Sequence, residues 1–386
     1  MYELNINGMS ISDFLSEYWQ KKPLLIKGGF ANFEDPLDPE ELAGLAMEES
    51  IESRLVTNHE DAWEAHHGPF EDFTLLSDTN STLLVQAVDH WHPTAAELIE
   101  PFRFIPNWRI DDLMISYSTP GGGVGPHLDQ YDVFIIQGLG KRHWRVGLPN
   151  PALKEFAQNK SLLQVEAFEA VIDAVLEPGD ILYIPPGHPH EGYAVENALN
   201  YSVGFRFPNQ RDLISSFADH LIDTEQGKVR YNDPEITERD SVGLLSDTEI
   251  SKIRNLIIAT LNDSGSFQDW LGKNLSTPKH DMDLYELEES YTVEDIVEIL
   301  NDDIELYRAG GVRAIYQIME DNLILLSING ENHHLTLDNL ENVKLLCDET
   351  EMNSDQFEKS QHWLDFIQLL TNLINEGIYY FPEMND

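Results

Sequence analysis

The residues best able to do chemistry together lie in Gly121-Gly122-Gly123-Val124-Gly125-Pro126-His127-Leu128-Asp129. His127 and Asp129 are two apart, and side chains two apart on a strand share a face. An imidazole and a carboxylate presented together, met by a second histidine from another strand, make the two-histidine, one-carboxylate set that holds a divalent metal and leaves three coordination positions open. The second histidine is sought in Ile184-Pro185-Pro186-Gly187-His188-Pro189-His190, 61 to 63 positions after His127, where a stiff Pro-Pro-Gly turn follows the apolar run Ile181-Leu182-Tyr183-Ile184. Both His188 and His190 suit that place. An isolated His-x-Asp pair reads as a loop histidine beside a strand-end cap; the glycine-rich approach, the strand context and the later histidine together turn the reading toward a metal centre. Gly121 to Gly123 lack the Lys-Ser/Thr ending and following helix of a phosphate cradle and read as a flexible lip. Cys347 has no nearby motif supplying a base and reads as a core residue. The remaining histidines, among them His59, His66, His67, His90, His92 and His143, read as exposed or structural.

These groups must be held by β structure. From Asp112 to Phe207 short β-rich runs, Leu113–Ser118, Val133–Gln137, His143–Val146, Ile181–Ile184 and Tyr201–Phe207, alternate with Gly and Pro turns. That texture predicts an antiparallel barrel or double-sheet jelly roll. Gly138-Leu139-Gly140 reads as a tight hairpin, and Glu177-Pro178-Gly179-Asp180 as the turn launching the next strand. Between them, Pro149 to Leu176 reads as an insertion with a short helix or two and a connecting strand. Upstream, Phe14, Leu15, Tyr18 and Trp19 recur at helical spacing before a strand at Lys22–Ile26. Acidic helices are expected near 39–49 and 94–101, with a loop-rich stretch between them. Downstream, Leu213, Phe217 and Leu221, then Ile250, Ile253, Leu256, Ile257 and Leu261, then Trp270 and Leu271, mark three helices. After Tyr291 come a helix at Val293–Leu300, two strands joined at Glu320-Asp321-Asn322, and helices at Leu340–Cys347 and Trp363–Asn375, the order of a winged-helix-like module.

The chain of 386 residues is 41% hydrophobic and 10% aromatic, enough for more than one core and incompatible with wholesale disorder. Its 69 Asp and Glu against 24 Lys and Arg give a formal charge of −45, a field that repels phosphate backbones and anionic lipid headgroups. Residues 207–386 alone carry 12 basic and 37 acidic side chains, so a winged helix there is a poor DNA binder and is better suited to protein contact. A single cysteine, no apolar run near the roughly 20 residues of a membrane helix, and no signal-like start at Met1–Ser10 lead to the expectation of a soluble, cytoplasmic protein with no membrane and no DNA partner.

The stretch Asp111–Phe207, with the lead-in Tyr18-Trp19-Gln20-Lys21-Lys22-Pro23-Leu24-Leu25-Ile26, resembles the JmjC oxygenases of the cupin superfamily, specifically the bacterial ribosomal oxygenases. The resemblance is carried by Ser116, the run from Gly121 through His127 and Asp129 to Asp132, Gly140-Lys141-Arg142-His143-Trp144, Pro178-Gly179-Asp180 and Pro185-Pro186-Gly187-His188-Pro189-His190. The helical middle and winged-helix tail follow the family's domain order. The resemblance implies an α+β chain: a double-stranded β-helix (jelly-roll, cupin) catalytic domain over 1–208, a helical dimerisation module over 209–285, and a winged-helix-like domain over 286–386.

It further implies an Fe(II)- and 2-oxoglutarate-dependent dioxygenase that uses O₂ as co-substrate. His127, Asp129 and His190 are the implied metal ligands, because the family pattern runs Pro-Pro-Gly-x-x-His; His188 is the fallback. Arg142 would bind the distal carboxylate of 2-oxoglutarate with Ser116 as hydrogen-bonding partner, while Lys141 and Arg145 compete on charge alone. The implied reaction hydroxylates the β-carbon of an arginine in a large-subunit ribosomal protein, whereas eukaryotic relatives modify histidine. The negative charge suits such a basic partner. Asp132, near the metal motif, is the candidate for gripping the guanidinium, with a turn or strand-edge aspartate as the competing reading. A homodimer through the helical middle is also implied. Two other functions remain open on the residues alone: a small-molecule cupin oxygenase or isomerase to which Arg142 is dispensable, and a non-enzymatic acidic module that binds a basic protein.

Overall fold

The computed structural model describes residues 2–59, 62–159, 162–206, 208–262, 264–284, 287, 289–302 and 304–381. Phe207, expected to end the last barrel strand, and the expected domain boundary at 285/286 lie outside the described residues. Helix α1 (Ile11–Glu17) starts where the Ser10 side chain accepts from the Asp13 amide, and it buries Phe14 completely. It leads into β1 (Leu24–Ile26). Helix α2 (Pro39–Leu45) opens on a capping box between Asp38 and Glu41 with proline in its first turn.

The stretch read from sequence as loop-rich is instead three strands, β2 (Ser53–His59), β3 (Ala62–His67) and β4 (Ser81–Val85). Its strand character shows in the apolar runs Leu55-Val56 and Leu83-Leu84-Val85, which the intervening polar residues obscure. After the short helix α3 (Pro93–Ala96) come β5 (Ile110–Ser118), β6 (His127–Leu128), β7 (Val133–Gln137), β8 (Arg142–Gly147), β9 (Glu155–Asn159), β10 (Leu162–Val165), β11 (Ala170–Leu176), β12 (Ile181–Ile184), β13 (Pro189–Ala194) and β14 (Ala198–Phe205).

These strands form a double-sheet jelly roll. The larger sheet has the order β1-β12-β7-β14-β5-β4-β2-β3 and the smaller β11-β8-β13-β6, with neighbours antiparallel throughout. Two local expectations are corrected. Gly138-Leu139-Gly140 is not a hairpin turn: β7 pairs with β12 and β14 whereas β8 pairs with β11 and β13, so these residues form the corner where the chain changes sheet. The insertion after Pro149 has no helix among its described residues; β9 and β10 pair with each other, and β11 joins the smaller sheet.

Strand alternation decides which side chains meet the site. Along β5, Leu113 and Ile115 are fully buried in the core shared with the N-terminal helices, together with Phe14, Phe134 and Tyr183. Met114, Ser116 and Ser118 therefore face the space between the sheets. The strand bulges between Ile110 and Leu113, and Asp112 in that bulge lies on the same side, its Oδ1 3.4 Å from where a Cβ on Gly204, the cross-strand partner of Val133, would stand. Its floor on the other side is the cluster of Val133, Ile135, Trp144, Val146, Leu176, Leu182 and Ile184.

The chain continues through α4 (Gln210–Asp223), α5 (Asp247–Leu261), α6 (Ser264–Ser276) and α7 (Val293–Ile299). It then forms β15 (Glu305–Arg308), β16 (Ala314–Ile318), β17 (Leu323–Ile328), β18 (Glu331–Thr336), α8 (Leu340–Asp348), β19 (Glu351–Asn353), α9 (Trp363–Asn375) and β20 (Tyr379–Tyr380). Strands β16, β17 and β18 make an antiparallel wing, turned at Glu320-Asp321-Asn322 as its sequence suggests, and α7, α8 and α9 pack into a separate core with it. Helix α6 lies against the wing, where the Gln317 amide donates to the Gln268 carbonyl and the Asn332 amide to that of Asp269. The α+β class and the succession of jelly roll, helices and winged helix are those expected. Among the described residues no helix is long and apolar enough to cross a membrane.

Candidate active site

His127 and His190 are direct cross-strand partners between β6 and β13, with their rings 4.2 Å apart. Asp129 follows on the same face as His127, and its main-chain carbonyl accepts from the Gly187 amide at 2.7 Å, tying the Pro-Pro-Gly turn to the metal loop. Each imidazole commits Nδ1 to a backbone carbonyl, His127 to Gly125 at 3.0 Å and His190 to His188 at 3.0 Å. Such a partner fixes the proton on Nδ1 and frees the Nε2 lone pair. Both Nε2 atoms point at Asp129 Oδ2, from 3.8 Å and 3.5 Å, and ligand atoms of the three residues all lie within 4.8 Å of one another. Burial and the neighbouring His190 hold His127 down to about 4. Burial works against ionisation of Asp129, yet His127, the hydrogen bond from His190 and the Tyr131 hydroxyl outweigh it and hold the carboxyl at about 2. Two imidazoles with Nε2 turned inward and an ionised carboxylate, converging with no lysine or arginine hydrogen-bonded to them among the described residues, are a donor set that fits a divalent metal.

The glycine run is not a loose lip. Gly121 donates to the Ala194 carbonyl and Ala194 to that of Gly122, pinning the run along β13. Gly125 has φ +80°, and a Cβ there would fall 2.0 Å from the Gln164 amide nitrogen, so glycine is required where the carbonyl must turn onto His127.

Beside this cluster, Arg142 enters from the first residue of β8 and is 3% exposed. Its Nη1 faces Ser116 Oγ at 3.4 Å, Ser118 Oγ at 3.2 Å and Asn200 Oδ1 at 3.3 Å, and Nη2 donates to the Gly192 carbonyl at 3.2 Å. Every partner is neutral. Its Nε is buried without a partner, and burial alone lowers the guanidinium to about 10. A buried cation without a counter-ion is costly unless an anion completes the site, so the pocket fits a ligand carboxylate. Ser118 and Asn200 escaped the sequence reading; the period-two repeat Ser116-x-Ser118 was the available signal, whereas Asn200 becomes visible only through the register that sets it opposite Ser116.

The competing cations are engaged elsewhere. Lys141 pairs with Glu177 at the surface, and Arg145 turns to the outer face of the smaller sheet with Glu191 and Asp173. His143 shares that outer face, bonded to Asp173 at 2.6 Å and to the Tyr193 hydroxyl. His188 stays outside the cluster, with Nδ1 on the Pro186 carbonyl. Cys347 is buried and pushed up to about 12 by that burial, as suits a core thiol.

Asp132 does not reach the pocket. It is fully buried and bonded to Arg109 at 3.0 Å, Gln20 at 2.9 Å and the Tyr183 hydroxyl at 2.6 Å, which leaves nothing for a substrate. Its place is to anchor the N-terminal segment on the barrel. The acid that the structure sets on the pocket face is Asp112, two rungs along β5 from Ser116. Its Oδ2 accepts from the Ala87 amide at 3.0 Å and the Gln86 amide at 3.3 Å, while Oδ1 has no hydrogen-bond partner among the described residues. Burial, with Asp89 and Asp111 nearby, raises Asp112 to about 7. Such a group seeks a cation. Read in one dimension, Asp111-Asp112 looks like an ordinary acidic strand start, and only the assembled contacts separate the two: Asp111 pairs with Arg206 and Lys279, and Asp112 lies against Gly204 on the pocket side.

A jelly roll with two histidines and a carboxylate at one mouth and a buried arginine beside them defines a facial-triad oxygenase of the JmjC type. Comparison with known proteins agrees: a JmjC domain family matches residues 97–213 and a ROXA-like winged helix matches residues 259–380. The chain is 46% identical to the ribosomal protein uL16 3-hydroxylase of Escherichia coli (strain K12) across 98% of its own length and 99% of that protein's. It is 37% identical to a probable ribosomal oxygenase of Haemophilus influenzae, across 66% and 65% of the two chains. The structure of the Escherichia coli ribosomal oxygenase YcfD in complex with cobalt and 2-oxoglutarate superposes with a TM-score of 0.89 at 45% identity, covering 99% of this chain and 100% of that one. This chain therefore belongs to the bacterial ribosomal oxygenases of the JmjC family.

Proposed function

We propose that the protein is an Fe(II)- and 2-oxoglutarate-dependent hydroxylase that places a hydroxyl on the β-carbon of an arginine in ribosomal protein uL16 of the large subunit. The observation that carries this reading is the buried, carboxylate-free Arg142 beside the His127–Asp129–His190 cluster: one half calls for a metal, the other for a dianion such as 2-oxoglutarate. The substrate follows from the activity named for the Escherichia coli relative, and its arginine from the buried Asp112 carboxylate, which among the described residues hydrogen-bonds no lysine or arginine and has only His280 Nε2 at 3.9 Å.

His127, Asp129 and His190 would hold the iron, and Arg142, Ser116, Ser118 and Asn200 the distal carboxylate of 2-oxoglutarate. Bound iron supplies the oxidising power for inserting one oxygen atom of O₂ into a C–H bond, with CO₂ and succinate as the other products. The chain's own part is positioning. Asp112 receives the guanidinium, Trp144 stacks beneath Arg142 with 5.0 Å from the guanidinium carbon to the ring centroid, and the apolar floor excludes water. No side chain is required as a general base.

The three units, 1–208, 209–285 and 286–386, are taken as catalytic, dimerising and winged-helix parts, with α6 also packing on the wing. A homodimer is supported by α5, which has no buried residue and presents Ile253, Ile257 and Leu261 at 44%, 63% and 41% exposure, and by Ile214 and Ile222 of α4 at 68% and 72%. A cytoplasmic site of action follows from a ribosomal substrate.

The test is anaerobic reconstitution with Fe(II) and 2-oxoglutarate, then air, scoring succinate with and without uL16. Expected is uL16-stimulated succinate, the mass of one oxygen atom added to an arginine of uL16, and loss of both in His127→Ala. Iron binding with no succinate under any condition would overturn the reading.

A further inference from the structure

The winged-helix part of the chain is fastened to the barrel at the end of the pocket where Asp112 sits. Gly310 and Gly311 lie directly on the turn Val88–His90: a Cβ on Gly310 would fall 2.1 Å from the Asp89 carbonyl oxygen, and one on Gly311 2.5 Å from the His90 ring. Only a glycine pair permits that approach. Two residues later Arg313, 8% exposed, reaches across the junction. Its Nε donates to the Ile110 carbonyl at 3.2 Å, its Nη2 donates to the Asp111 carbonyl, and Nη2 stands 3.6 Å from Asp89 Oδ2. The same Asp89 accepts the Leu113 amide on Oδ1 at 2.8 Å. Arg313 and Asp89 thus hold the carbonyls of residues 110 and 111 and the amide of residue 113, the backbone on both sides of Asp112.

We propose that Arg313 is a positioning residue of the active site: through it the winged-helix domain sets the start of β5, and with it the place where Asp112 receives the cationic side chain of the protein substrate. The inference rests on the reading of Asp112 given above. It assigns the acidic winged helix a task that needs no nucleic acid. The far end of β5, where Ser116 and Ser118 meet Arg142, has its own cross-strand partners in Asn200 and Ala198 and does not depend on the clamp. The planar two-pronged guanidinium suits two carbonyls and a carboxylate at once, which a lysine ammonium reproduces only in part.

The experiment compares full-length wild type, Arg313→Ala and Arg313→Lys by steady-state kinetics and by amide hydrogen exchange. Expected for Arg313→Ala is a KM for uL16 raised about tenfold or more, with KM for 2-oxoglutarate and the succinate formed without uL16 within about twofold of wild type. Arg313→Lys recovers part of the uL16 effect, and exchange quickens at residues 110–113 but not at 116–118. A uL16 KM unchanged in both variants overturns the proposal, as does a parallel loss of every kinetic parameter with exchange quickened along all of β5, the signature of general loosening. If Arg313→Ala does not fold, Arg313→Lys against wild type decides by the same criteria. If wild type itself shows no response to uL16, the substrate assignment fails instead, and the exchange pattern alone decides the clamp: quickening confined to 110–113 sustains it, and any other pattern overturns it.

Discussion

Replacing Arg142 by methionine separates what this residue does for the fold from what it does for the ligand. The guanidinium falls from 12.5 to about 10 through burial alone, which at roughly 1.4 kcal/mol per unit is a penalty of about 3 kcal/mol on the folded state. The sign is that of a base whose folded value is depressed, so the penalty is fully present below about pH 10 and fades as pH rises toward the unfolded value. Methionine fills a similar volume and removes the penalty, but it strips the Gly192 carbonyl of its donor, which costs about 1–2 kcal/mol. The ligand-free variant should thus be about 1–2 kcal/mol more stable than wild type. Binding of 2-oxoglutarate should weaken by two charge-assisted hydrogen bonds, on the order of a thousandfold. Anaerobic melting with Mn(II) as a redox-silent metal measures both: 2-oxoglutarate at about 100 times its wild-type Kd adds roughly 2.7 kcal/mol to wild type and almost nothing to the variant. A ligand-free Arg142→Met protein destabilised by more than about 2 kcal/mol, or one still stabilised fully by 2-oxoglutarate, would refute the assignment.

His190→Ala is expected to abolish Mn(II) or Co(II) binding measured by calorimetry, whereas His188→Ala keeps it within a few-fold; the reverse would exchange their roles. For Asp112→Asn, the KM for uL16 should rise about 10- to 100-fold with that for 2-oxoglutarate unchanged. The folded value of Asp112, about 7 against 3.8 unfolded, makes its contribution to stability decline as pH climbs from about 4 through 7, so Asp112→Asn should melt higher than wild type at pH 8 and alike near pH 4. In Asp132→Asn the Arg109 guanidinium loses its buried carboxylate, and a loss of about 3 kcal/mol in denaturant unfolding is expected without a selective change in either KM. Ile253→Glu with Ile257→Glu should halve the mass seen in sedimentation at micromolar concentration and leave the melting temperature of the barrel unmoved; an unchanged mass would place the dimer contact elsewhere or nowhere.

What the sequence disclosed followed from periodicity and punctuation. Val133–Gln137 and Ile181–Ile184 emerged as strands at their full extent, because uninterrupted apolar runs bounded by Gly and Pro admit few other readings. His127, Asp129 and the Pro-Pro-Gly-x-x-His turn were legible because their spacing along one strand is itself the geometry. What failed was whatever depends on which sheet a strand joins. Gly138-Leu139-Gly140 carries every local mark of a hairpin, and only the pairing of β7 with β12 shows it to be a corner. Asp132 was misplaced for the same reason: proximity in sequence to Asp129 says nothing about side, and three residues on the chain has turned its carboxylate to Arg109. Asp112 was missed because its significance lies in having lost water without gaining a hydrogen bond from a lysine or arginine, a property of the assembled interior.

The two substrates are ordered with respect to each other by one strand. Side chains on one face recur about every 6.6–6.8 Å, so Asp112, Met114, Ser116 and Ser118 form a ruler about 20 Å long, with a carboxylate at one end and hydroxyls at the other. The hydroxyl end meets Arg142 of the opposite sheet and receives an anion; at the carboxylate end Asp112 hydrogen-bonds no lysine or arginine among the described residues, with only His280 Nε2 at 3.9 Å, and receives a cation. A one-residue slip of β5 would replace all four by Leu113, Ile115, Tyr117 and Thr119 and abolish both sites together, so the register has to be held from outside the pair of sheets. Hydrogen bonds to β4 and β14 hold the middle and the hydroxyl end, but the ladder to β4 begins only at Val85 opposite Ile115, leaving Ile110 and Leu113 paired with β14 alone and Asp111 and Asp112 in a bulge between them. That open flank is where Asp89 and Arg313 bind. A domain whose charge unsuits it for nucleic acid thus occupies the position from which the substrate end of the strand can be fixed, and the kinetic split between uL16 and 2-oxoglutarate follows from which end of the ruler is released.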